Sequence, residues 1–479
     1  MRSLLSRFFS AQRLVRPDRR LGELPDTRTA YNDVLRIALP SIAEMVLMSL
    51  IGSADTIMVG QLGPNALASV ALPGQPRMIM LSIFFALNVG VTAIVARRRG
   101  EERRDAANRT LRNAIVLVLL LSLVVMTIVM SLAEPLMRLS GGNTNTPNDT
   151  LVLKDATTYF VIMASALPIN AVSMCINAAL RGVGNTKITM KVNIISNLVN
   201  VLFNYLLIGG NFGFPRLEVA GAALASVIGM VAGAMLSFVA VLRGDAYLHI
   251  SRKDSWRPDS ATMRSIIKVG GNAMVEQLSM RFGFFMYSRI IYGLGVTLFA
   301  AHTICMQFLN LSFSFADGLG IAGTSLVGQS IGAKRPDRSL LYAKVTQRLA
   351  LVVSIMIAVP LAIFRVPLTS LFLDASKPDA AAVLFNAANT MLVVALMQPI
   401  QMSSVVLSGS LRGAGDNLYV ASVMAVCVSI IRPIMAVLAV YVLRVDLAMT
   451  WLMSMAEMGI RVIMFYRRFE GDKWMTKKV

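Results

Sequence analysis

The chain contains two copies of one unit, and this internal repeat constrains its fold more than any other feature. Identical residues recur at a shift of 232 positions in the first part of each copy and at a shift of 231 in the later part. The matches are Glu44 with Glu276, Leu62-Gly63 with Leu294-Gly295, Gln75 with Gln307, Gly100 with Gly332, Pro135 with Pro367, Pro168 with Pro399, and Leu180-Arg181-Gly182 with Leu411-Arg412-Gly413. In an apolar chain, such duplication is typical of transporters built from two helical bundles.

The composition places the chain in a lipid bilayer. Hydrophobic residues make up 56% of its 479 residues, charged residues make up 15%, and the mean hydropathy is +0.65. A helix needs about 20 apolar residues to cross a ~30 Å hydrocarbon core. Twelve stretches meet this requirement, near 34–60, 75–97, 110–133, 156–180, 188–209, 219–242, 262–292, 298–331, 340–364, 382–411, 417–441 and 446–468. We predict an all-α membrane protein with twelve transmembrane helices in two parallel six-helix repeats.

The basic residues are sorted by loop, which predicts an orientation. The formal net charge of +20 would suggest nucleic acid binding in a soluble protein, but here it follows the positive-inside rule. Clusters such as Arg97-Arg98-Arg99 and Arg467-Arg468 fall on the inner side when both termini are cytoplasmic. We therefore expect a multi-pass protein of the plasma membrane, in bacteria the inner membrane, with cytoplasmic N- and C-termini.

The charge pattern also divides the chain into regions. They are a cytoplasmic tail (1–33), an N-lobe with six spans (34–243), a cytoplasmic linker (244–261), a C-lobe with six spans (262–468) and a cytoplasmic C-terminal tail (469–479). The Arg-rich first tail is either a segment that rests on anionic lipid or an organelle targeting peptide. The residues leave both interpretations open.

Few acidic residues lie within the predicted spans, so each is a functional hypothesis. A carboxylate near the bilayer centre costs about 2.5–3.5 kcal/mol on insertion scales. Such a group can take up and release a proton, or hold Na⁺ among carbonyl and amide oxygens. The candidates for binding the coupling cation are Asp55, Glu276, Asp317 and Glu44. Glu457 is instead predicted to form a structural ion pair with Arg461, one helical turn away, and with Arg432.

Structural roles are the alternative for two of these candidates. Arg281 and Arg289 share the seventh span with Glu276, so an internal ion pair there would only fix helix packing. Asp317 on the eighth span is an alternative partner for Arg281.

Amide side chains form a polar stripe on the fifth span. A spacing of three or four residues places them on one helical face, and a polar stripe at membrane depth must face protein or water. The stripe is Asn193, Asn197, Asn200 and Asn204, and the other candidates for lining a cavity are Gln401, Gln75 and Gln307. Hydrogen bonds between helices are the alternative use of these amides.

Glycine and proline predict irregular helices in three spans. The residues are Pro168 in the fourth span, Gly318, Gly320 and Gly323 in the eighth, and Pro399 in the tenth. Irregular backbone at membrane depth persists only where protein buries it or where it lines a wet cavity. We expect these spans to bend beside a pathway, with close helix packing as the alternative for the glycines.

Taken in order, several segments resemble the multidrug and toxic compound extrusion (MATE) transporters. The resemblance covers about residues 34–474 and is closest to the DNA-damage-inducible (DinF-like) subgroup. Its marks are Ala54-Asp55-Thr56-Ile57-Met58-Val59-Gly60-Gln61-Leu62-Gly63, Leu180-Arg181-Gly182-Val183-Gly184-Asn185-Thr186, Gly323-Thr324-Ser325-Leu326-Val327-Gly328-Gln329 and Leu411-Arg412-Gly413-Ala414-Gly415-Asp416. The resemblance implies V-shaped six-helix lobes around a central cavity, and export of amphipathic or cationic compounds in exchange for H⁺ or Na⁺.

The chain also departs from the family pattern. The first-span aspartate of bacterial members matches Asp55, but Asn204 stands where many relatives have an acid, which leaves the N-lobe site one charge short. Glu276 matches the seventh-span acid of the DNA-damage-inducible subgroup. The tenth-span acid of the other bacterial subgroup falls on Gln401, so a C-lobe Na⁺ site of that kind is not supported.

We therefore expect a secondary antiporter rather than an enzyme. Cation binding at Asp55, Glu276 or both is expected to favour one arrangement of the lobes, while substrate and cation compete for the cavity. The expected partners are a small-molecule substrate and membrane lipid, with no nucleic acid, no cofactor and no certain metal site, and we expect a monomer. Two alternatives remain: a lipid-linked oligosaccharide flippase, which needs a more cationic cavity, and a polytopic membrane enzyme.

Overall fold

A computed structural model of the protein describes residues 8–142, 144–243, 247–251, 254–373, 379–471 and 473–475. Within these ranges the secondary structure is helical and no strand occurs. Each of the twelve predicted spans coincides with a helix or with a set of consecutive helical segments. The predicted all-α class with two six-helix repeats is confirmed.

The described residues of the first repeat form nine α-helices, several of them short. They are α1 (Thr27–Gly60), α2 (Pro64–Ala71), α3 (Gly74–Gly100), α4 (Arg104–Ser131), α5 (Ala133–Leu139), α6 (Pro147–Ser165), α7 (Leu167–Gly182), α8 (Thr186–Gly209) and α9 (Glu218–Leu242). The fourth span consists of α6 and α7, which meet at an angle of 51°. Pro168 lies in the first turn of α7, where its missing N–H removes no intrahelical hydrogen bond. The predicted bend in this span is confirmed.

Eight α-helices are present in the part of the second repeat that the structure describes. They are α10 (Ser260–Tyr292), α11 (Val296–Gly332), α12 (Pro336–Ile363), α13 (Arg365–Ser370), α14 (Ala380–Gly413), α15 (Asn417–Val426), α16 (Arg432–Val437) and α17 (Leu447–Glu470). In contrast to the fourth span, α14 runs through Pro399 as one helix. The eleventh span instead contains two π-helical segments, Cys427–Ile431 and Leu438–Val442.

The glycines of the eighth span serve close packing. The span is a single helix, α11. A Cβ atom on Gly318 would lie 2.5 Å from Ile42 Cγ1, and one on Gly409 of α14 would lie 2.8 Å from the carbonyl oxygen of Gly320. Contact between helices at small residues, the alternative explanation, therefore accounts for these glycines.

The first helix of each repeat carries acidic residues within its predicted span. Among the described residues, nine helices are long and apolar enough to cross a membrane, or ten when α6 and α7 count as one span. α10 is not among them, and the first helices α1 and α10 carry Glu44, Asp55 and Glu276. Helices with such residues at membrane depth must turn them toward protein or water.

Packing divides the chain into two compact units. The first unit is Ala43–Gly270, and the second comprises the described residues of Met1–Ile42 and Gly271–Val479. α1 and α10 each contribute to both units. The domain boundaries predicted from the sequence remain predictions, and residues 244–246 and 252–253 of the predicted linker lie outside the described residues.

The N-terminal tail packs on the second unit. Ala11 and Val15 are buried in the same apolar cluster as Trp474. The backbone N–H of Leu21 donates to Asp337 Oδ2 over 3.1 Å. This part of the tail therefore belongs to a packed core, whereas contact with lipid or a targeting role remains a prediction.

The leucine and the glycine of the repeated Leu-Arg-Gly segment serve packing in both repeats. Leu180 and Leu411 are fully buried. A Cβ atom on Gly182 would lie 2.7 Å from the carbonyl oxygen of Thr92, and one on Gly413 would overlap that of Thr324. Only glycine lets these backbones approach so closely.

Each of the two helix crossings also has an equivalent hydrogen bond from a threonine. Thr92 Oγ1 donates to the carbonyl oxygen of Ala178 over 3.0 Å, and Thr324 Oγ1 donates to that of Gly409 over 2.8 Å. α3 and α7 therefore cross as α11 and α14 do, so the repeat in sequence is also a repeat in packing.

Candidate coupling site

Asp55 lies on α1 among neutral donors from α8. Asn204 Nδ2 donates to Asp55 Oδ1 over 2.7 Å. The Asn200 amide is satisfied when its Nδ2 donates to Asp55 Oδ1 and Oδ2, over 3.0 and 3.2 Å, and its Oδ1 accepts from Ser226. Among the ion pairs of the described residues, none includes Asp55. Two amides thus hold this partly buried carboxylate by hydrogen bonds, and the charge of Arg77 on α3 acts on it without an ion pair among the described residues.

Glu44 lies three helical turns before Asp55 and is enclosed by partners. Its exposed fraction is 1%. Oε1 accepts from Arg181 Nη1 over 3.0 Å and from Asn193 Nδ2 over 2.6 Å, while Oε2 accepts from Thr189 Oγ1 over 3.1 Å. One arginine and two neutral donors thus satisfy the hydrogen-bonding capacity of this buried carboxylate.

The amide stripe of α8 faces the acids of α1. Asn193, Asn200 and Asn204 donate to these acids, whereas Asn197 Nδ2 donates to the carbonyl oxygen of Asn193 over 2.8 Å. Three of the four amides therefore make hydrogen bonds between helices. A role for the stripe in lining a cavity remains a prediction.

Glu276 forms an internal ion pair, but its partner differs from the sequence prediction. Arg412 Nη1 donates to Glu276 Oε1 over 3.0 Å, and Glu276 is 4% exposed. The partner in this ion pair is thus on α14 and not on the helix that carries Glu276. Whether Glu276 also binds the coupling cation remains a prediction.

Asp317 lies near the same ion pair. It lies on α11, and the charges of Arg412 and Glu276 act on it. The predicted pairing of Asp317 with Arg281 remains a prediction. The charge of Arg412 therefore acts on two carboxylates in the second unit.

The predicted ion pairs of Glu457 are confirmed. Arg432 Nε and Nη2 both donate to Glu457 Oε2, over 3.2 and 2.9 Å. Arg461 Nε lies 3.6 Å from Glu457 Oε1. All three side chains are buried, so the triad joins α16 to α17 inside the second unit.

The three glutamine candidates lie in different environments. Gln75 and Gln307, which match in the repeat, are both exposed. Gln401 is fully buried, and neither end of its amide has a partner in the part of the chain that the structure describes. Their roles in a cavity remain predictions.

The sequence reasoning missed the partners of the two repeated glutamates. Arg181 follows Glu44 by 137 residues, and Arg412 follows Glu276 by 136. Both arginines belong to the repeated Leu-Arg-Gly segment, so the signal was present. Charges of opposite sign that recur together in both copies predict a repeated ion pair.

Comparison with known proteins gives consistent results. The MatE family model matches residues 40–206 and 273–438, once in each repeat. A probable multidrug resistance protein NorM of Thermotoga maritima is 26% identical over 459 residues, which cover 95% of both chains. The multidrug resistance protein PmpM of Pseudomonas aeruginosa is 27% identical and covers 81% of this chain and 80% of its own.

Solved structures share the fold. A MOP superfamily transporter from Pyrococcus furiosus superposes with a TM-score of 0.84 at 19% identity, covering 94% of this chain and 97% of its own. An outward-facing multidrug resistance MATE family transporter gives a TM-score of 0.83 at 20% identity, covering 92% and 95%. At these identities, the similarity concerns the fold alone.

Proposed function

The chain belongs to the MATE family of multi-pass membrane transporters, and from this premise we propose that it exports amphipathic and cationic organic compounds in exchange for H⁺ or Na⁺. The names of its relatives as multidrug resistance proteins support this substrate class. Membership of a transporter family also means that the chain is not an enzyme.

The coupling cation binds at Asp55 in this proposal. The observation that carries it is the environment of the carboxylate. Asn200 and Asn204 hold Asp55 by hydrogen bonds, and among the described residues no arginine forms an ion pair with it. An acid neutralised by arginine gains little from a cation, whereas an acid held by amides can accept H⁺ or Na⁺.

Glu276 has a different role in this proposal. Its contact with Arg412 balances its charge, as Arg181 balances that of Glu44. We therefore assign these two glutamates to helix packing, and Asp55 to cation exchange.

Cation binding drives export by alternating access. The bound cation changes the relative stability of the two access states, and cation and substrate compete so that each leaves as the other binds. Moving one charge through the membrane potential contributes about 2.3 kcal/mol per 100 mV. One or two cations per cycle would therefore sustain a substantial substrate gradient.

The same proposal places the protein in the plasma membrane, in bacteria the inner membrane, as a monomer with cytoplasmic termini. The sorting of basic residues supports this orientation. Cysteine labelling from each side of sealed vesicles, with single cysteines in the two tails, tests it.

The coupling assignment is tested with Asp55→Asn in cells that load ethidium. This variant keeps the size and polarity of the side chain but cannot carry the charge. We expect loss of uncoupler-sensitive efflux, while the control Glu134→Gln, at an exposed ion pair with Arg138, keeps it. Full uncoupler-sensitive efflux by Asp55→Asn would contradict the assignment.

The identity of the cation is tested in inverted vesicles. A proton gradient and a Na⁺ gradient are imposed separately while ethidium uptake is followed. We expect one gradient to drive uptake in the unmodified protein and not in Asp55→Asn. Ethidium uptake that proceeds equally well when neither gradient is imposed would contradict antiport.

A further inference from the structure

The hydrogen bonds between α1 and α8 fix one register for both helices. Glu44 and Asp55 are eleven residues apart, and so are Asn193 and Asn204. Each contact joins residues separated by 149 positions, so the two helices run parallel. Eleven residues make three turns, roughly 16 Å, and a slide by one residue, about 1.5 Å, would disturb both contacts.

The Glu44 end of this pair of contacts is the anchored end. Glu44 is buried and is also bound by Arg181 and Thr189, which lie at the end of α7 and the start of α8. Asp55 is only partly buried and its donors are amides. A displacement of α8 would therefore change the contacts of Asp55 more than those of Glu44, because fewer contacts oppose the movement at Asp55.

The second repeat has the same ion pair without the amide contacts. At a shift of 231, the positions of Thr189, Asn193, Asn200 and Asn204 hold Val420, Met424, Ile431 and Met435. At a shift of 232, the position of Asp55 holds Tyr287. The amide contacts thus occur only in the first repeat, which is also the repeat that has Asp55.

We propose that Glu44 is a positioning residue for the cation site, and that through Asn193 it holds α8 in the register at which Asn200 and Asn204 reach Asp55. The inference rests on the proposed coupling role of Asp55. It replaces cation binding at Glu44 with control of cation binding three turns away.

The test compares two variants in the first repeat with a matched variant in the second. Asn193→Leu keeps the ion pair of Glu44 and Arg181 but removes the amide contact, and Glu44→Gln removes the charge. Glu276→Gln breaks the equivalent ion pair where no amide contacts exist. Each full-length protein is reconstituted in proteoliposomes, and ethidium transport is measured over a range of H⁺ and Na⁺ concentrations.

We expect Asn193→Leu and Glu44→Gln to change the cation concentration for half-maximal transport by roughly three- to tenfold, the size of one hydrogen bond. Asn193→Gln keeps a donor and should restore part of the change. Glu276→Gln should lower the unfolding temperature and leave the half-maximal concentration unchanged. A purely structural role for Glu44 would lower stability without changing that concentration.

Two results would overturn the inference. One is an unchanged half-maximal concentration in folded Asn193→Leu, with Asn193→Ala as the substitute if the leucine variant does not fold. The other is an equal change in Glu276→Gln, because the effect would then not depend on the amide contacts. If Asp55→Asn keeps full cation dependence, the proposed function itself fails, whatever Asn193→Leu does.

Discussion

The two repeats have the same ion pair at one depth along their first helices and different side chains about three turns further along. At the first level, Glu44 pairs with Arg181 and Glu276 pairs with Arg412, both over 3.0 Å. Each pair joins the first helix of its repeat to the end of its fourth span. Since the ion pair recurs with the glycine crossing beside it, this level is the common scaffold.

About three turns further along the first helix, the repeats have diverged. The first has Asp55 with Asn200, Asn204 and Ser226. The second has Tyr287 at the position of Asp55, and its nearby triad includes Glu457 at the position of Ser226. The ion pairs with structural roles thus recur in both copies. In addition, the first copy has an acid held by amides, and the second has the ion pairs of Glu457 with Arg432 and Arg461.

Breaking the triad of the second repeat should have the largest effect. Arg432→Met leaves Glu457 fully buried with only the longer contact to Arg461. We expect a loss of about 3–5 kcal/mol in the free energy of unfolding. Thermal unfolding in detergent measures it, with Val201→Met, at the matching position of the first repeat, as the control. Equal stability of Arg432→Met and the unmodified protein would contradict the structural role.

Removing the arginine of either repeated pair should have a smaller and similar effect in both repeats. Arg181 and Arg412 have 19% and 18% of their side chains exposed, so part of the lost interaction is replaced by solvent. We expect Arg181→Met and Arg412→Met each to cost about 1.5–3 kcal/mol. Measured by the same unfolding assay, a large difference between them would show that the pairs are not equivalent.

The glycine crossings should sharpen the comparison, because the second repeat is packed more closely. The new Cβ atom would lie 2.7 Å from the carbonyl oxygen of Thr92 in Gly182→Ala and closer still to that of Thr324 in Gly413→Ala. We expect both variants to lose about 1–3 kcal/mol, with the larger loss at Gly413. Gly459→Ala in α17, with nothing within 4 Å, is the control and should not be destabilised. The reverse order of losses would contradict the difference in packing.

The smallest effect is expected at a helix cap present only in the second repeat. Asp446 Oδ1 accepts from the N–H of Met449 at the start of α17, whereas Leu217, before α9, provides no side-chain cap. We expect Asp446→Ala to cost about 0.5–2 kcal/mol. Asp446→Asn keeps an acceptor and should retain most of the stability. A full loss in Asp446→Asn would indicate that the charge, and not the cap, matters.

Much of the fold could be predicted from the sequence because its signals are local or repeated. Apolar stretches of sufficient length gave the twelve spans, and Pro168 gave the bend between α6 and α7. The identical proline at 399 lies within one continuous helix. A proline disfavours helix continuation, but packing of the surrounding helices decides whether the helix breaks there.

The site was predicted in part. Spacing of the asparagines gave one polar face on α8, and the structure places that face against the acids of α1. The partner of Glu276 was predicted on its own helix and lies on α14. Residues one or two turns apart are neighbours by helix geometry alone, but partners 136 residues apart depend on which helices pack together.

The sequence by itself determined that this protein has two copies of a six-span unit, with a few acids on helices otherwise suited to lipid. Its repeat, its apolar lengths and its family motifs are properties of the chain read in order. Only the tertiary structure decided which acids are neutralised by arginine and which is held by amides. The reason is that a charge at membrane depth is stabilised by its nearest partners, and these come from distant parts of the chain.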